Sequence, residues 1–227
     1  MTDEIFKFPS TPHLAVLGEI DIRQDKVMSE LERTEFLHHE LVIEEKIDGA
    51  NLGITSDKSG HMITFNRGSF LHLPHSGQWK KLPEWLASRE EKLFVHLSDQ
   101  YILFGEWCYA RHSVFYDRLP DWFLGFDIYD RENALFLSCS RRDKIFRSLE
   151  IFQVPKIACG TFTFSQVKTL LAQSRVGDHS AEGIYLRRNK GNRIEQRAKL
   201  VRPTFVQSIG NHWSRSGIQP NRLAWQK

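Results

Sequence analysis

Cysteine is scarce: Cys108, Cys139 and Cys159 are the only three, and no two of them make a C-x-x-C pair. An odd count without that spacing suggests neither a disulfide framework nor a zinc ribbon, and it suits a reducing compartment. No apolar run approaches the roughly 20 residues that span a bilayer. The opening MTDEIFKFPS lacks the basic-then-apolar layout of a secretion signal. The expectation is a cytoplasmic protein without a membrane partner. An excess of one charge is missing as well, since 31 Lys and Arg face 28 Asp and Glu for a net charge of +3. That balance excludes a histone-like polycation but leaves room for a local phosphate-binding groove. Low-complexity stretches and internal repeats are also absent.

What the chain does hold is the composition of an ordinary globular protein, with 41% hydrophobic and 26% charged residues. Its 227 residues fit one large domain, 1–227, or a domain with a small extension. The 16 Phe, 6 Trp and 5 Tyr supply core residues first and base-stacking residues second. Basic side chains bunch at 187–202 (RRNKGNRIEQRAKLVR), where Glu195 is the lone acid. A run of this kind is usually a solvated face, and it suggests nucleic acid only in company with other signals.

Residues 27–37 (VMSELERTEFL) read as a short amphipathic stretch. Residues 40–46 and 50–56 read as strands, and Asp48-Gly49 between them predicts a hairpin turn. Further strands are expected at 61–66, 101–107, 121–130, 157–162, 182–188 and 193–202. Helices are expected at 79–96, interrupted early by Pro83, and at 141–150 and 165–173. Hairpins rather than regular βαβ units argue for an α+β fold with largely antiparallel sheets flanked by helices. Residues 203–227 are polar and aromatic, a short tail after a core of about 40–202.

The chemistry centres on Glu45-Lys46-Ile47-Asp48-Gly49. A lysine ending a strand before a Gly-containing turn can aim its amine into a pocket. To act as a nucleophile it needs the neutral amine, so its pKa must fall through desolvation or nearby cations. Alone, such a lysine is more often a surface hairpin residue. Downstream, however, come Arg67 in NRGS, Glu106 in LFGEW, Phe126 in GFDIYD, Glu182 in AEGIYLRR, and Arg197 and Lys199 in RAKLV. Each has a bland reading: Phe126 as core, the two glutamates as exposed strand carboxylates, Gly105 and Gly183 as bulges. His72-x-x-His75 suits two solvated loop histidines better than a metal pair. Only the joint pattern rises above these.

In this order the series resembles motifs I, Ia, III, IIIa, IV and V of the covalent nucleotidyltransferase superfamily, which contains DNA ligases, RNA ligases and mRNA capping enzymes. The resemblance runs from about residue 40 to 202 and implies a nucleotidyltransferase domain. It implies that Lys46 attacks the α-phosphate of ATP and that Glu45, Arg67, Glu106, Phe126, Glu182, Arg197 and Lys199 bind the nucleotide. Within that set Phe126 would stack on adenine and Glu106 would hold the ribose hydroxyls. Glu182 would serve a metal, Mg²⁺ or Mn²⁺, and would join Lys46 and Lys199 in catalysis. Arg197 departs from the first lysine of the K-x-K pair of many RNA ligases; it keeps the charge but offers a fork rather than a point.

Asn51, five residues after Lys46, matches the K-x-x-G-x-N pattern of the phage RNA ligase 2 type, where the asparagine serves the nucleic-acid-dependent steps. Asn51 and Arg67 are therefore expected near the nucleic acid. Residues 105–130 resemble the same region of small bacterial RNA ligases. Asp48 is also the DNA-ligase form and does not discriminate. The short tail leaves no length for the OB-fold of DNA ligases and capping enzymes, so no OB-fold is expected. The resemblance thus implies an ATP-dependent RNA ligase acting on RNA ends, nicked duplex or tRNA-like, with an end-healing kinase or phosphatase as a partner. DNA nick sealing, capping, or an end-binding module without ligation are the alternatives. His112 reads as a packing or hydrogen-bonding histidine, and Arg215 and Arg222 as tail residues able to reach phosphates.

Overall fold

The computed structural model describes residues 6–18, 26–72, 76–203 and 217–226. His75 and Arg215 lie outside the described residues. In chain order come α1 (Glu30–Leu37), β1 (Leu41–Lys46), β2 (Ala50–Ser56), β3 (Met62–Asn66) and β4 (Ser69–Phe70). Then follow a 3₁₀ turn (Gly77–Trp79), α2 (Leu82–Ala87), α3 (Glu90–Leu97), β5 (Tyr101–Trp107), β6 (Phe123–Asp130) and β7 (Leu135–Phe136). The remainder is α4 (Cys139–Ser148), β8 (Lys156–Gly160), α5 (Phe164–Thr169), β9 (Gly183–Lys190) and β10 (Arg193–Val201).

Local chemistry explains several boundaries. Ser29 opens α1 with a full capping box to Glu32, and Thr163 does the same for α5 with Gln166. Pro83 stands in the first turn of α2, where its missing N–H costs nothing, so it starts a helix rather than interrupting one. The expected 79–96 helix is accordingly split into two.

The strands form two antiparallel sheets, one in the order β10-β9-β1-β8 and one in the order β4-β3-β2-β5-β6-β7. The α+β expectation with flanking helices holds. The Asp48-Gly49 hairpin does not: β1 and β2 belong to different sheets, so these residues carry the chain across rather than back. The reason lies in the bonds Asp48 makes. Its carboxylate accepts the backbone N–H groups of Ser113 and Val114 at 2.7 and 3.0 Å, and its own N–H donates to the Tyr116 hydroxyl at 2.8 Å. Neither residue has the positive φ that a two-residue hairpin of this kind requires. A Cβ on Gly49 would come within 2.8 Å of the Trp107 carbonyl oxygen, so the glycine is there for close approach.

Side-chain alternation sorts the four-stranded sheet into two faces. Leu41, Ile43, Ile184, Leu186, Ala198 and Leu200 pack with Phe36 and Leu37 of α1 and Val167 of α5. The opposite face carries Glu44, Lys46, Tyr185, Arg187, Arg197 and Lys199, with Glu44 opposite Tyr185 and Tyr185 opposite Lys199. The six-stranded sheet packs Leu52, Ile54, Leu103 and Ile128 against Leu82, Leu93 and Phe146 of α2, α3 and α4. A third cluster, with Ile47, Phe65, Phe104, Leu124 and Phe126, fills the space on its other face. The charged face of one sheet therefore meets the aromatic face of the other. Gly105 sits at the register shift between β5 and β6 and would drive a Cβ into the Phe123 ring, while a Cβ on Gly183 would strike the Leu200 carbonyl. Both glycines serve strand packing.

Candidate active site

Lys46 ends β1 beneath the crossing, and its Nζ lies 2.6 Å from Oε1 of Glu182, the residue just before β9. Glu106 comes from β5 in the other sheet, paired with Asn51 of β2. Oε2 of Glu106 and Oε2 of Glu182 are buried without a hydrogen-bond partner among the described residues, which is unusual for a carboxylate and fits a donor or a cation as ligand. Burial, and then the opposing attraction of Lys46, leaves Glu106 pushed up to about 8 and Glu182 to about 7. For Lys46, burial disfavours the ammonium, but Glu182 and Glu106 outweigh it and raise its pKa above the ordinary value. This runs against the expectation of a depressed pKa. In the free protein the two carboxylates hold the proton on the lysine, and cations that withdraw them are what would release it.

A cavity of about 90 Å³ opens beside Lys46, lined by Phe8, Glu45, Ile47, Asn51, Glu106, Phe126 and Tyr185 among others. Asn51 and Phe126 thus both face the cavity that Lys46 lines. Lys199 joins them on β10: burial, then the charge of Lys46, depresses its pKa. The Glu45 carboxylate is taken up by the 174–176 loop, accepting from the Ser174 hydroxyl at 2.5 Å and the Arg175 N–H at 2.8 Å.

Two predicted residues stand further off. Arg67 is exposed at the tip of the β3–β4 hairpin, where φ of 44° at Arg67 and 104° at Gly68 make the two-residue turn. Its charge favours the ionised form of Glu106, but less than Lys46 does. Arg197 is stacked on the ring of Phe136 at 3.8 Å and over Phe8 at 4.9 Å, with Asp127 at 3.7 Å. Burial lowers its pKa and Asp127 opposes that. His112 meets Gln78 at 2.9 Å, the hydrogen-bonded histidine expected. His72 is an exposed loop residue.

Sequence reasoning missed the N-terminal segment. Phe8 meets Phe126 edge-on at 5.2 Å, and Tyr185 donates to Thr11 at 2.7 Å. His13 pairs beside Lys199, and burial followed by the charges of Lys199 and Lys46 takes it down to about 4, so it is neutral. An F-x-F in an entry segment carries no signal beyond hydrophobicity. Also missed was a buried charge clasp under Phe126. Glu44 accepts from Arg142 at 2.5 Å and from Arg187 at 2.5 Å, and Arg187 also meets Asp127 at 3.3 Å. All four are at most 2% exposed. Arg142 and Arg187 donate to the Phe126 carbonyl as well, at 2.6 and 3.2 Å. The clasp ties β1 and β9 to β6 and α4 and fixes the backbone of Phe126.

The residues fit a nucleotide and a divalent cation: an amine, two carboxylates with unpartnered oxygens, an aromatic ring and a second lysine. Among the described residues no group of three or more His, Cys, Asp or Glu side chains gathers to hold a metal by itself. Such a site suits a cation that keeps water and phosphate ligands. Among the described residues, too, no helix is long and apolar enough to cross a membrane.

A family model described as RNA ligase matches residues 39–201. Solved structures of similar architecture include variants of the Naegleria gruberi RNA ligase. One with ATP and Mn has a TM-score of 0.58 at 17% identity, covering 77% of this chain and 53% of that one. One with AMP and Mn has a TM-score of 0.63 at 15% identity, covering 91% and 59%. An apo variant gives 0.59 at 17% identity, covering 77% and 52%. At these identities the likeness is one of fold, and the chain spans between 52% and 59% of the length of these three structures. No curated protein matches the chain.

Proposed function

Because the chain belongs to the RNA ligase family, we propose that it is an ATP-dependent RNA ligase joining 5′-phosphate and 3′-hydroxyl ends through a lysyl-AMP. The observation that carries this reading is Lys46 Nζ held 2.6 Å from Glu182, within a pocket that Phe126 and Glu106 also line. Residues 1–227 act in it as one nucleotidyltransferase domain.

In the first step the Lys46 amine attacks the α-phosphorus of ATP, the bond to the bridging oxygen breaks, and pyrophosphate leaves. Glu182, 2.6 Å from the Lys46 amine, orients it, and the proton leaves to solvent once a cation offsets that carboxylate. Phe126 stacks on the base, worth about 1–3 kcal/mol by analogy with base–aromatic stacking, and Glu106 accepts from the ribose. Lys199 adds positive charge where the phosphate oxygens gain negative charge. Glu182 would hold Mg²⁺ or Mn²⁺, which would supply charge against those oxygens and offset the carboxylate that keeps Lys46 protonated. AMP then passes to a 5′-phosphate, freeing the Lys46 amine and forming a 5′–5′ pyrophosphate on the RNA. A 3′-hydroxyl attacks that phosphate, the new phosphodiester forms, and AMP departs. Asn51, at the pocket wall, and Arg67, at the hairpin tip, serve these later steps. The setting is RNA repair in the cytoplasm, with ends prepared by a kinase or phosphatase.

The test is incubation with α-labelled ATP and Mg²⁺ or Mn²⁺. The protein should carry AMP on the peptide containing Lys46, and Lys46→Ala should abolish the label. Chase with 5′-phosphorylated RNA should move the label to the RNA. A wild-type protein that takes no label under either metal overturns the reading.

A further inference from the structure

A second cavity, of about 800 Å³, lies away from Lys46 and is lined by Lys81, Tyr109, Arg111, Phe115, Trp122 and Arg222 among others. It is built by two segments that hold each other. The 108–119 loop and the 217–226 tail exchange backbone bonds at Arg111–Gln219, Asn221–Tyr109, Arg222–Tyr116 and Leu119–Arg222. Asn221, buried, pins the joint: its amide donates to the carbonyls of Cys108 and Ala110, and its oxygen accepts the Tyr116 N–H.

That joint sets cations among rings. Arg111 and Arg222 stand 6.0 and 5.9 Å from the ring of Phe115. Lys80 lies 5.2 Å from the ring of Tyr109, which meets Trp122 edge-on at 5.3 Å. Arg111, Arg222 and Lys80 are exposed, and among the described residues none has a carboxylate partner; Lys81 is paired with Glu84 at 2.9 Å. The same loop reaches the crossing beside Lys46, because Ser113 and Val114, which lie between Arg111 and Phe115, donate their backbone N–H groups to the Asp48 carboxylate.

We propose that this groove is a second binding site, for single-stranded RNA, with Arg111 and Arg222 on phosphates and Phe115 and Trp122 against bases. Unpaired guanidinium groups interleaved with aromatic rings in an open channel are what a flexible polynucleotide needs: charge for its backbone and π-faces for its bases. An acidic peptide would use the charge but not the rings. The choice of RNA rests on the ligase reading. Because the loop that builds the groove is bonded to Asp48, two residues from Lys46, the site would hold the body of a strand whose end is being sealed.

The experiment measures binding of a labelled unstructured RNA by anisotropy across a salt series, alongside AMP capture from labelled ATP. For the double variant Arg111→Ala/Arg222→Ala, affinity should fall about tenfold or more. Its log–log salt slope should flatten by about 1.4, two phosphates at roughly 0.7 each. Phe115→Leu, which keeps apolar bulk, should weaken binding without changing the slope. AMP capture should be unchanged in all of them. Unaltered RNA affinity and slope in the double variant overturn the proposal, as does a wild-type protein that captures AMP but binds no RNA. Polyglutamate that competes as well as RNA of equal charge makes the occupant an acidic chain and overturns it too. RNA binding lost in the double variant of a protein that never captures AMP supports the groove while removing the ligase reading.

Discussion

Lys46 and Glu182 are joined within one sheet, Nζ to Oε1 at 2.6 Å, with Lys46 directly opposite Gly183 across the β1–β9 pair. The contact keeps the candidate nucleophile charged until something withdraws the carboxylate, so AMP capture should depend on pH. Below about 7 to 8, Glu182 and Glu106 are protonated and poor partners for a cation. Lys46, with its raised pKa, gains neutral amine only as the solution becomes more alkaline. Both effects have one sign. The initial rate of labelling should rise from pH 6 to pH 9, and Glu182→Gln, which loses the carboxylate proposed to hold the cation, should lower it by about 10-fold or more. A rate flat across that range counts against Lys46 as the amine that loses a proton.

Glu106 is ionised at a cost in the free protein. Its folded pKa of about 8 exceeds the ordinary 4.5, so the stability it contributes is present below 4.5 and lost as pH rises to about 8. Glu106→Gln should therefore stabilise the free fold by about 1–3 kcal/mol at pH 8 and by nearly nothing at pH 4. Chemical denaturation at the two pH values measures this, and the same variant should bind ATP less well.

The cavity beside Phe126 holds about 90 Å³, well under the roughly 300 Å³ at which small-molecule sites begin. Phe8 stands in its wall. ATP binding should displace the 6–14 segment, read as a change in amide hydrogen exchange there on adding ATP. Phe126→Ala should raise the KM for ATP about 5- to 100-fold through lost stacking. Unchanged exchange in 6–14 at saturating ATP would mean that the base enters elsewhere.

Glu44 bridges two buried guanidinium groups, both of whose pKa values are raised, with burial opposing and the acidic partners prevailing. Glu44→Ala leaves those charges unpaired and should cost about 3–5 kcal/mol. Urea unfolding checks it. A loss below 1 kcal/mol would mean that water or a rearranged Asp127 satisfies the arginines.

Strand positions were legible because period-2 alternation is strong in β9 and β10, where 184, 186, 198 and 200 are apolar and 185, 187, 197 and 199 are not. Lys46, Glu106, Phe126, Glu182 and Lys199 were legible for another reason: their order resembles a known series, and the fold brings them to one seam. The Asp48-Gly49 crossing was misread because the local pair looks like a hairpin, while its partners are 65 and 66 residues away. Phe8, Arg142 and the Asn221 joint stayed hidden because each depends on long-range contacts with no local pattern. Arg197 and Lys199 look equivalent along the strand, yet only the structure separates the one stacked on Phe136 from the one beside Lys46.

The chain enters the six-stranded sheet at Ala50 and leaves it after Phe136, so that sheet is a continuous length of chain set inside the sequence of the other. Lys46 and Glu182 belong to the outer length and Glu106 to the inner one. A rotation of one sheet against the other would carry Lys46 and Glu182 together and change only the spacing to Glu106. The distance from Glu106 to that pair would therefore gauge any opening of the seam, with Lys46 and Glu182 as the fixed arm.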